Sequence, residues 1–226
     1  MLKDKVAIVV GASSGLGKAV SEQLTQEGVK VFALARKIQP VDFNPSVRKI
    51  DIDITNHENL KIAFQVIDAE TKEIDILVNC AGRGLTKNLE ETSEEEIHDI
   101  LSLNLEANIR VSQEVYRRML PQKSGHIINV ISTSGAKARA DESIYCASKW
   151  GLRGFTESLR IAATKHKIRV TSILPGGMDT NFWKNGESRD TSTYMNPDDV
   201  AREIINLIKS PSSIAPSELT IERGFN

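Results

Sequence analysis

Residues 9–20 read VVGASSGLGKAV, and two incompatible chemistries fit the same letters. Gly11-Ala12-Ser13-Ser14-Gly15 matches the G-x-S-x-G nucleophile elbow, which exposes a serine on a tight turn between a strand and a helix. The overlapping Gly11, Gly15 and Gly17 match a glycine-rich turn that receives the phosphates of a nucleotide. An elbow also needs an oxyanion-binding loop earlier in the chain, and only ten residues precede Gly11. Gly17 has no use in an elbow, whereas in a phosphate turn the third glycine lets the helix lie close to the strand. The cradle is therefore the expected reading. Gly11 permits the turn, Gly15 lets the backbone approach a pyrophosphate, and Ser13 and Ser14 offer small hydroxyls. The free amides at the start of a helix expected over 15–28 face the anion.

Outward from this turn, short apolar and β-branched runs alternate with helical stretches. Strands are expected at 6–10, 31–35, 47–52, 74–78, 126–131 and 169–173, with a weaker one at 218–221. Near-continuous apolar runs suit strands covered on both faces, as in parallel sheets. Thr55-Asn56-His57-Glu58 and Ser93-Glu94-Glu95-Glu96 fit capping boxes at helix starts. Asn196-Pro197-Asp198-Asp199 sets a cap, a first-turn proline and acidic residues in the preferred order. The pattern predicts one α/β domain over residues 1–226, a doubly wound parallel sheet with helices on both faces. Ligands bind such sheets beyond the carboxyl ends of the strands.

Composition excludes several function classes. The 29 basic and 30 acidic residues nearly cancel, so no global field attracts nucleic acid or a membrane surface. No apolar run approaches the roughly 18 residues of a membrane span. Cys80 and Cys146 are too few for a disulfide framework, and the four histidines lack ligand spacing, so no metal is expected. Reduced cysteines predict a cytoplasmic protein.

The second strand candidate ends in Leu34-Ala35-Arg36-Lys37, two bases and no acid. A carboxylate there would bind the ribose 2′-hydroxyl of NAD, and an arginine accommodates the 2′-phosphate of NADP, so NADP(H) is preferred over NAD(H). Farther on, Tyr145-Cys146-Ala147-Ser148-Lys149 places a phenol and an amine on one face of a helix. A neighbouring ammonium stabilises a phenolate and brings a tyrosine toward working pH.

With these residues in view the chain resembles the short-chain dehydrogenase/reductase family over nearly its whole length. The marks, in order, are Gly11-Ala12-Ser13-Ser14-Gly15-Leu16-Gly17, Asp53-Ile54-Thr55, Asn79-Cys80-Ala81-Gly82, Asn104, Ser132, Tyr145 with Lys149, and Pro175-Gly176 with Thr180. The resemblance implies a Rossmann fold. It makes Tyr145 the general acid of carbonyl reduction and gives Lys149 the nicotinamide ribose hydroxyls. Ser132, thirteen residues before Tyr145, would bind the substrate oxygen, and Asn104 would anchor a water in a proton relay. Leu16 and the glycine turn would hold the pyrophosphate. Asp53 and Ile54 would meet the adenine, and Asn79, Ala81 and Gly82 would line the cofactor. Pro175, Gly176, Met178 and Thr180 would grip the nicotinamide end.

Val10, Cys80 and Ile131 depart from common family residues without touching the four catalytic positions, and the C-terminal end lacks a common Asp-Gly-Gly segment. The expected assembly is a homodimer, through the helices around 104–120 and 145–164, or a homotetramer. Residues 181–195, NFWKNGESRDTSTYM, fall where the family places its substrate lid. Phe182, Trp183 and Tyr194 are candidates for an apolar wall, and Lys184 or Arg189 for meeting an anion. The expected activity is NADPH-dependent reduction of a ketone, aldehyde or dicarbonyl to an alcohol, with a small-molecule substrate. The alternatives are a 3-oxoacyl-thioester reductase and a non-catalytic NADPH-binding redox sensor.

Overall fold

The computed structural model of the chain describes residues 2–180, 182, 191 and 193–224. β1 (Val6–Val10) is apolar and buried along its whole length and runs directly into the glycine turn. α1 (Gly15–Gln26) follows, then β2 (Lys30–Ala35), β3 (Arg48–Asp51), α2 (His57–Glu70) and β4 (Ile76–Asn79). The chain continues through α3 (Glu94–Leu101), a π-helical turn (Ser102–Ala107), α4 (Asn108–Gln122) and β5 (His126–Val130). α5 (Ser143–Thr164), β6 (Arg169–Pro175), α6 (Pro197–Ile208) and β7 (Glu218–Ile221) complete it. The seven strands form one sheet in the order β3-β2-β1-β4-β5-β6-β7, every neighbouring pair parallel.

Order in this sheet reverses beside β1, so the crevice at the carboxyl ends of β1 and β4 is the place for a ligand. One core, built on Val9, Val31, Val78 and Ile128, lies under α1 and α6. The other, built on Ile8, Phe32, Leu77 and Ile127, lies under α2 and α4. Alternate residues of the same strands feed the two, as the pleat requires.

Several expected boundaries move for local reasons. α1 stops at Gln26 because Gly28, at φ +79°, takes the left-handed position that ends a helix. β4 starts at Ile76, since the Ile74 N–H donates to Gln122 Oε1 (3.0 Å) instead of joining the ladder. The capping box expected at Thr55 is not formed. α2 is capped by Asn56, whose side chain accepts from the Asn59 N–H, while the Thr55 hydroxyl donates to Asp53 Oδ1 (2.7 Å). The Ser93 capping box and the Asn196 cap with Pro197 at the first turn form as expected.

Beneath the ligand end, a polar seam crosses the apolar interior. Asn79 and Asn129 are register partners on β4 and β5, and Asn79 Nδ2 donates to Asn129 Oδ1 (2.8 Å) and to Ser112 Oγ (3.0 Å) on α4. Asn129 Nδ2 in turn donates to Thr156 Oγ1 on α5 (2.9 Å). All four side chains belong to fully buried or nearly fully buried residues.

Candidate active site

A cleft of about 860 Å³ runs over the carboxyl ends of the central strands. At one end is the glycine turn. Gly11 has φ +76°, and a Cβ there would lie 2.8 Å from the backbone of Ala81, so only glycine lets the two turns touch. A Cβ at Gly17 would collide with the Gly11 carbonyl, which is how closely α1 approaches the turn. Ser14 precedes α1 in extended conformation without a side-chain cap, and the first turn holds no acid, so the helix amides remain for an anion. Ser13, Ser14, Gly15 and Leu16 line this end of the cleft, with exposed Arg36 and Lys37 beyond β2.

Asp53 and Ile54 form the next part of the wall. Burial works to raise the Asp53 carboxyl, but hydrogen bonds from Thr55 and the charge of Arg36 hold it below the usual range. Ala81 and Gly82 follow, and Pro175, Gly176, Met178 and Thr180 close the cleft from β6. The residues present fit a nicotinamide dinucleotide: glycines where Cβ atoms would clash, and uncapped helix amides facing the cleft.

Ser132, Tyr145 and Lys149 come together at the other end. Ser132 acts on the Tyr145 phenol, working to lower its pKa, and its Oγ accepts from the Ser134 N–H (3.1 Å). Lys149 Nζ lies 5.9 Å from the Tyr145 ring centroid and donates to the Val130 carbonyl (3.2 Å). Burial brings Lys149 down to about 8. Burial also pushes the Tyr145 phenol above its ordinary value, against the lowering effect of Ser132, with Glu142 and Cys146 adding to the rise. The spacing suggested that the lysine would lower the phenol. Here burial is the largest effect and Lys149 is not among the groups that move the phenol, which stays protonated at neutral pH.

The cleft collects every sequence-predicted site residue except Asn79 and Asn104. Asn79 lies in the polar seam. Asn104, in the π turn, stands behind the wall: its Oδ1 accepts from the Arg83 N–H (2.9 Å), and its Nδ2 donates to the Arg83 carbonyl (2.9 Å) and to Ser148 Oγ (3.2 Å). A Cβ at Gly82 would meet both Asn104 Oδ1 (3.1 Å) and Lys149 Nζ (3.4 Å), so these groups converge on one glycine.

Of the expected lid, Phe182 and Tyr194 line the cleft, and the Phe182 ring meets that of Tyr145 edge-on at 6.0 Å. Trp183, Lys184 and Arg189 lie outside the described residues. The sequence pattern weighed Ser134 only as a neighbour of Ser132 and did not single out Arg139 and Glu142, which share the wall beside Tyr145 with it, or Asn108. The Asn108 amide reaches the carbonyls of Ala81 (3.2 Å), Leu103 (2.9 Å) and Asn104 (3.2 Å), fastening the π turn to the turn after β4. A carboxylate three residues before a motif tyrosine was the available signal for Glu142; Asn108 offered none.

The family model described as short chain dehydrogenase matches residues 5–191. An uncharacterized oxidoreductase of Staphylococcus aureus (strain MW2) is 30% identical over 227 residues, covering 98% of each chain. Among solved structures, a 4-hydroxyisoleucine dehydrogenase complexed with NADH superposes with a TM-score of 0.88 at 28% identity, over 98% of both chains. An alcohol dehydrogenase from the archaeon Thermococcus sibiricus, complexed with 5-hydroxy-NADP, gives 0.86 at 25% identity, over 97% of this chain and 96% of that one. With the glycine turn, the parallel sheet and the Ser132–Tyr145–Lys149 cluster in one cleft, this chain belongs to the short chain dehydrogenase family of oxidoreductases.

Proposed function

We propose that the protein is an NADPH-dependent reductase that converts a ketone, aldehyde or dicarbonyl to an alcohol. The observation that carries this reading is the convergence of two hydroxyls, Ser132 and Tyr145, with Lys149 on the wall of the cleft that also holds the glycine turn and the Arg36–Lys37 bases. NADP(H) bound along the cleft would supply or accept the hydride. Arg36 and Lys37 bind its 2′-phosphate, and the α1 amides with Ser13 and Ser14 bind the pyrophosphate. The two solved relatives carry different nucleotides, and the two bases with no acid after β2 are what supports NADP(H) here.

Ser132 donates a hydrogen bond to the substrate carbonyl oxygen, and Tyr145 gives that oxygen its proton. As negative charge develops on oxygen, these two fixed donors stabilise it. Lys149 holds the ribose hydroxyls, and its ammonium stabilises the phenolate that remains. Asn104 acts from behind Gly82, setting the turn on which Lys149 and the cofactor meet. Phe182 and Tyr194 belong to a substrate lid over residues 181–195, within one domain spanning the chain.

The same reading takes the enzyme as a homodimer or homotetramer in the cytoplasm, with free Cys80 and Cys146 and with Trp150 and Ile161 exposed on α5 for a second copy. Among the described residues no helix is long and apolar enough to cross a membrane.

The test is a fluorescence titration with NADPH and NADH, then NADPH oxidation against a panel of ketones, aldehydes and diketones. Tighter NADPH binding with turnover is expected. Tyr145→Phe should keep the binding and lose turnover by about a hundredfold or more. A variant that still turns over freely removes the acid role, and failure to bind either nucleotide removes the whole reading.

A further inference from the structure

Among the charged groups around the catalytic end of the cleft, Arg139 is held in an unusual way. Arg83 spends its Nη2 on Asp99 (3.1 Å). Arg139 is held by Nε, which donates to Ser134 Oγ (3.2 Å) and lies 3.6 Å from Glu142 Oε2. The Glu142 side chain is only 3% exposed, whereas that of Arg139 is 53% exposed. Ser134 Oγ completes the cluster by donating to Glu142 Oε2 (3.1 Å). Glu142 precedes α5 at the N-cap, yet its side chain makes no capping hydrogen bond. The buried carboxylate is instead directed at Ser134 and Arg139.

A guanidinium is planar and rigid, so fixing its Nε edge fixes the direction of the other donors. Among the described residues nothing accepts from Nη1 or Nη2 of Arg139. These nitrogens form the fork that matches a carboxylate with two parallel hydrogen bonds. A buried carboxylate is unfavourable unless paired. Here the pairing orients an arginine whose free end stays accessible in the wall that contains Tyr145.

We propose that the Nη1–Nη2 edge of Arg139 receives a carboxylate of the substrate, which makes the substrate an oxo acid, or a hydroxy acid in the reverse direction. This rests on the reductase reading above and specifies its substrate class. The carboxylate is unchanged in the reaction. The carbonyl carbon gains hydride from NADPH and its oxygen gains a proton from Tyr145, leaving the hydroxy acid and NADP⁺. Arg223 lines the same cleft, its Nη1 donating to Thr193 Oγ1 (3.0 Å) and its guanidinium lying over the Tyr194 ring. It adds a further positive charge to the same wall. The Arg139 charge also reaches Tyr145, where it favours the phenolate formed on proton transfer.

The experiment compares kcat/KM for 2-oxopentanoate and 3-oxobutanoate, each against its own methyl ester, with NADPH. The wild-type protein is expected to favour one acid over its ester by at least about tenfold. Arg139→Leu should lower that acid-to-ester ratio by about tenfold or more, mainly through KM. Arg139→Lys, which keeps the charge without the fork, should fall between. Because the ratio is taken within one preparation, it does not depend on how much of a variant folds. Turnover of the esters with no preference for either acid, or a ratio unchanged in Arg139→Leu, overturns the carboxylate receptor and leaves the reductase intact. NADPH binding with no turnover of the acids, the esters or the wider carbonyl panel overturns both.

Discussion

Arg36 and Lys37 follow the last residue of β2 and are exposed on the cleft wall, where the proposed NADPH places its adenosine ribose. A charge-assisted hydrogen bond to a phosphate contributes about 1.5–3 kcal/mol, and an acid in place of Arg36 would repel the same group. Arg36→Asp should therefore weaken NADPH by about tenfold to a hundredfold while changing NADH far less. Titrating both nucleotides checks it, and an unchanged preference would assign 2′-phosphate recognition elsewhere. At this scale the sequence was informative wherever a residue's chemistry depends on its neighbours along the chain, as with Tyr145 and Lys149 four apart or the bases after β2. It was silent where partners meet only in space. Asn104 reads as a site residue from its order among motifs, but its clasp on the Arg83 backbone depends on a contact across 21 positions.

Among the elements, α1 depends most narrowly on one atom. Gly17 lets α1 lie against the Gly11 carbonyl, and any Cβ there collides with backbone, which cannot rotate away. Gly17→Ala should destabilise the protein by about 1–3 kcal/mol, the range for forcing extra atoms into a packed site, and weaken nucleotide binding as the helix start is displaced. Denaturant melts with a parallel NADPH titration would show both losses, and a stable variant with normal binding would contradict the close packing described. Helix starts with an oxygen acceptor in the right place were readable, as at Ser93 and Asn196. At 55–58 the expected Thr55 cap gave way to Asn56, because Thr55 is engaged with Asp53. The π turn at 102–107 left no trace in the sequence, because its apolar spacing continues that of the helices on either side.

The whole molecule was legible as a parallel α/β sheet, since strands buried on both faces leave continuous apolar runs; strand ends and inter-element contacts were not. One such contact sets a pH response. His126 begins β5 with Nε2 2.9 Å from Thr171 Oγ1, and burial, aided by the charge of Arg169, brings its pKa down to about 3. An unfolded histidine titrates near 6.5. The native state thus refuses a proton that the unfolded chain accepts, so stability is full above about 6.5 and is lost progressively as pH falls toward 3. Between pH 7 and pH 5, before most carboxylates titrate, the loss should be about 2 kcal/mol. Urea unfolding at the two pH values measures it, and His126→Gln should flatten the window. An equal slope in the variant would place the dependence elsewhere.

The seam of Asn79, Ser112, Asn129 and Thr156 has a consequence for how the sheet assembles. Apolar strands packed on both faces tolerate sliding, because a slip of two residues returns apolar side chains to the same sides. Slipping β4 against β5 by that step would carry the Asn79 amide roughly 6–7 Å from Asn129. Buried amides would then have no partner, at a penalty of about 1–3 kcal/mol for each. The seam thus acts as an alignment key during assembly. A hydrophobic interior that could close in several registers accepts the one that brings the ends of β1, β4, β5 and β6 level.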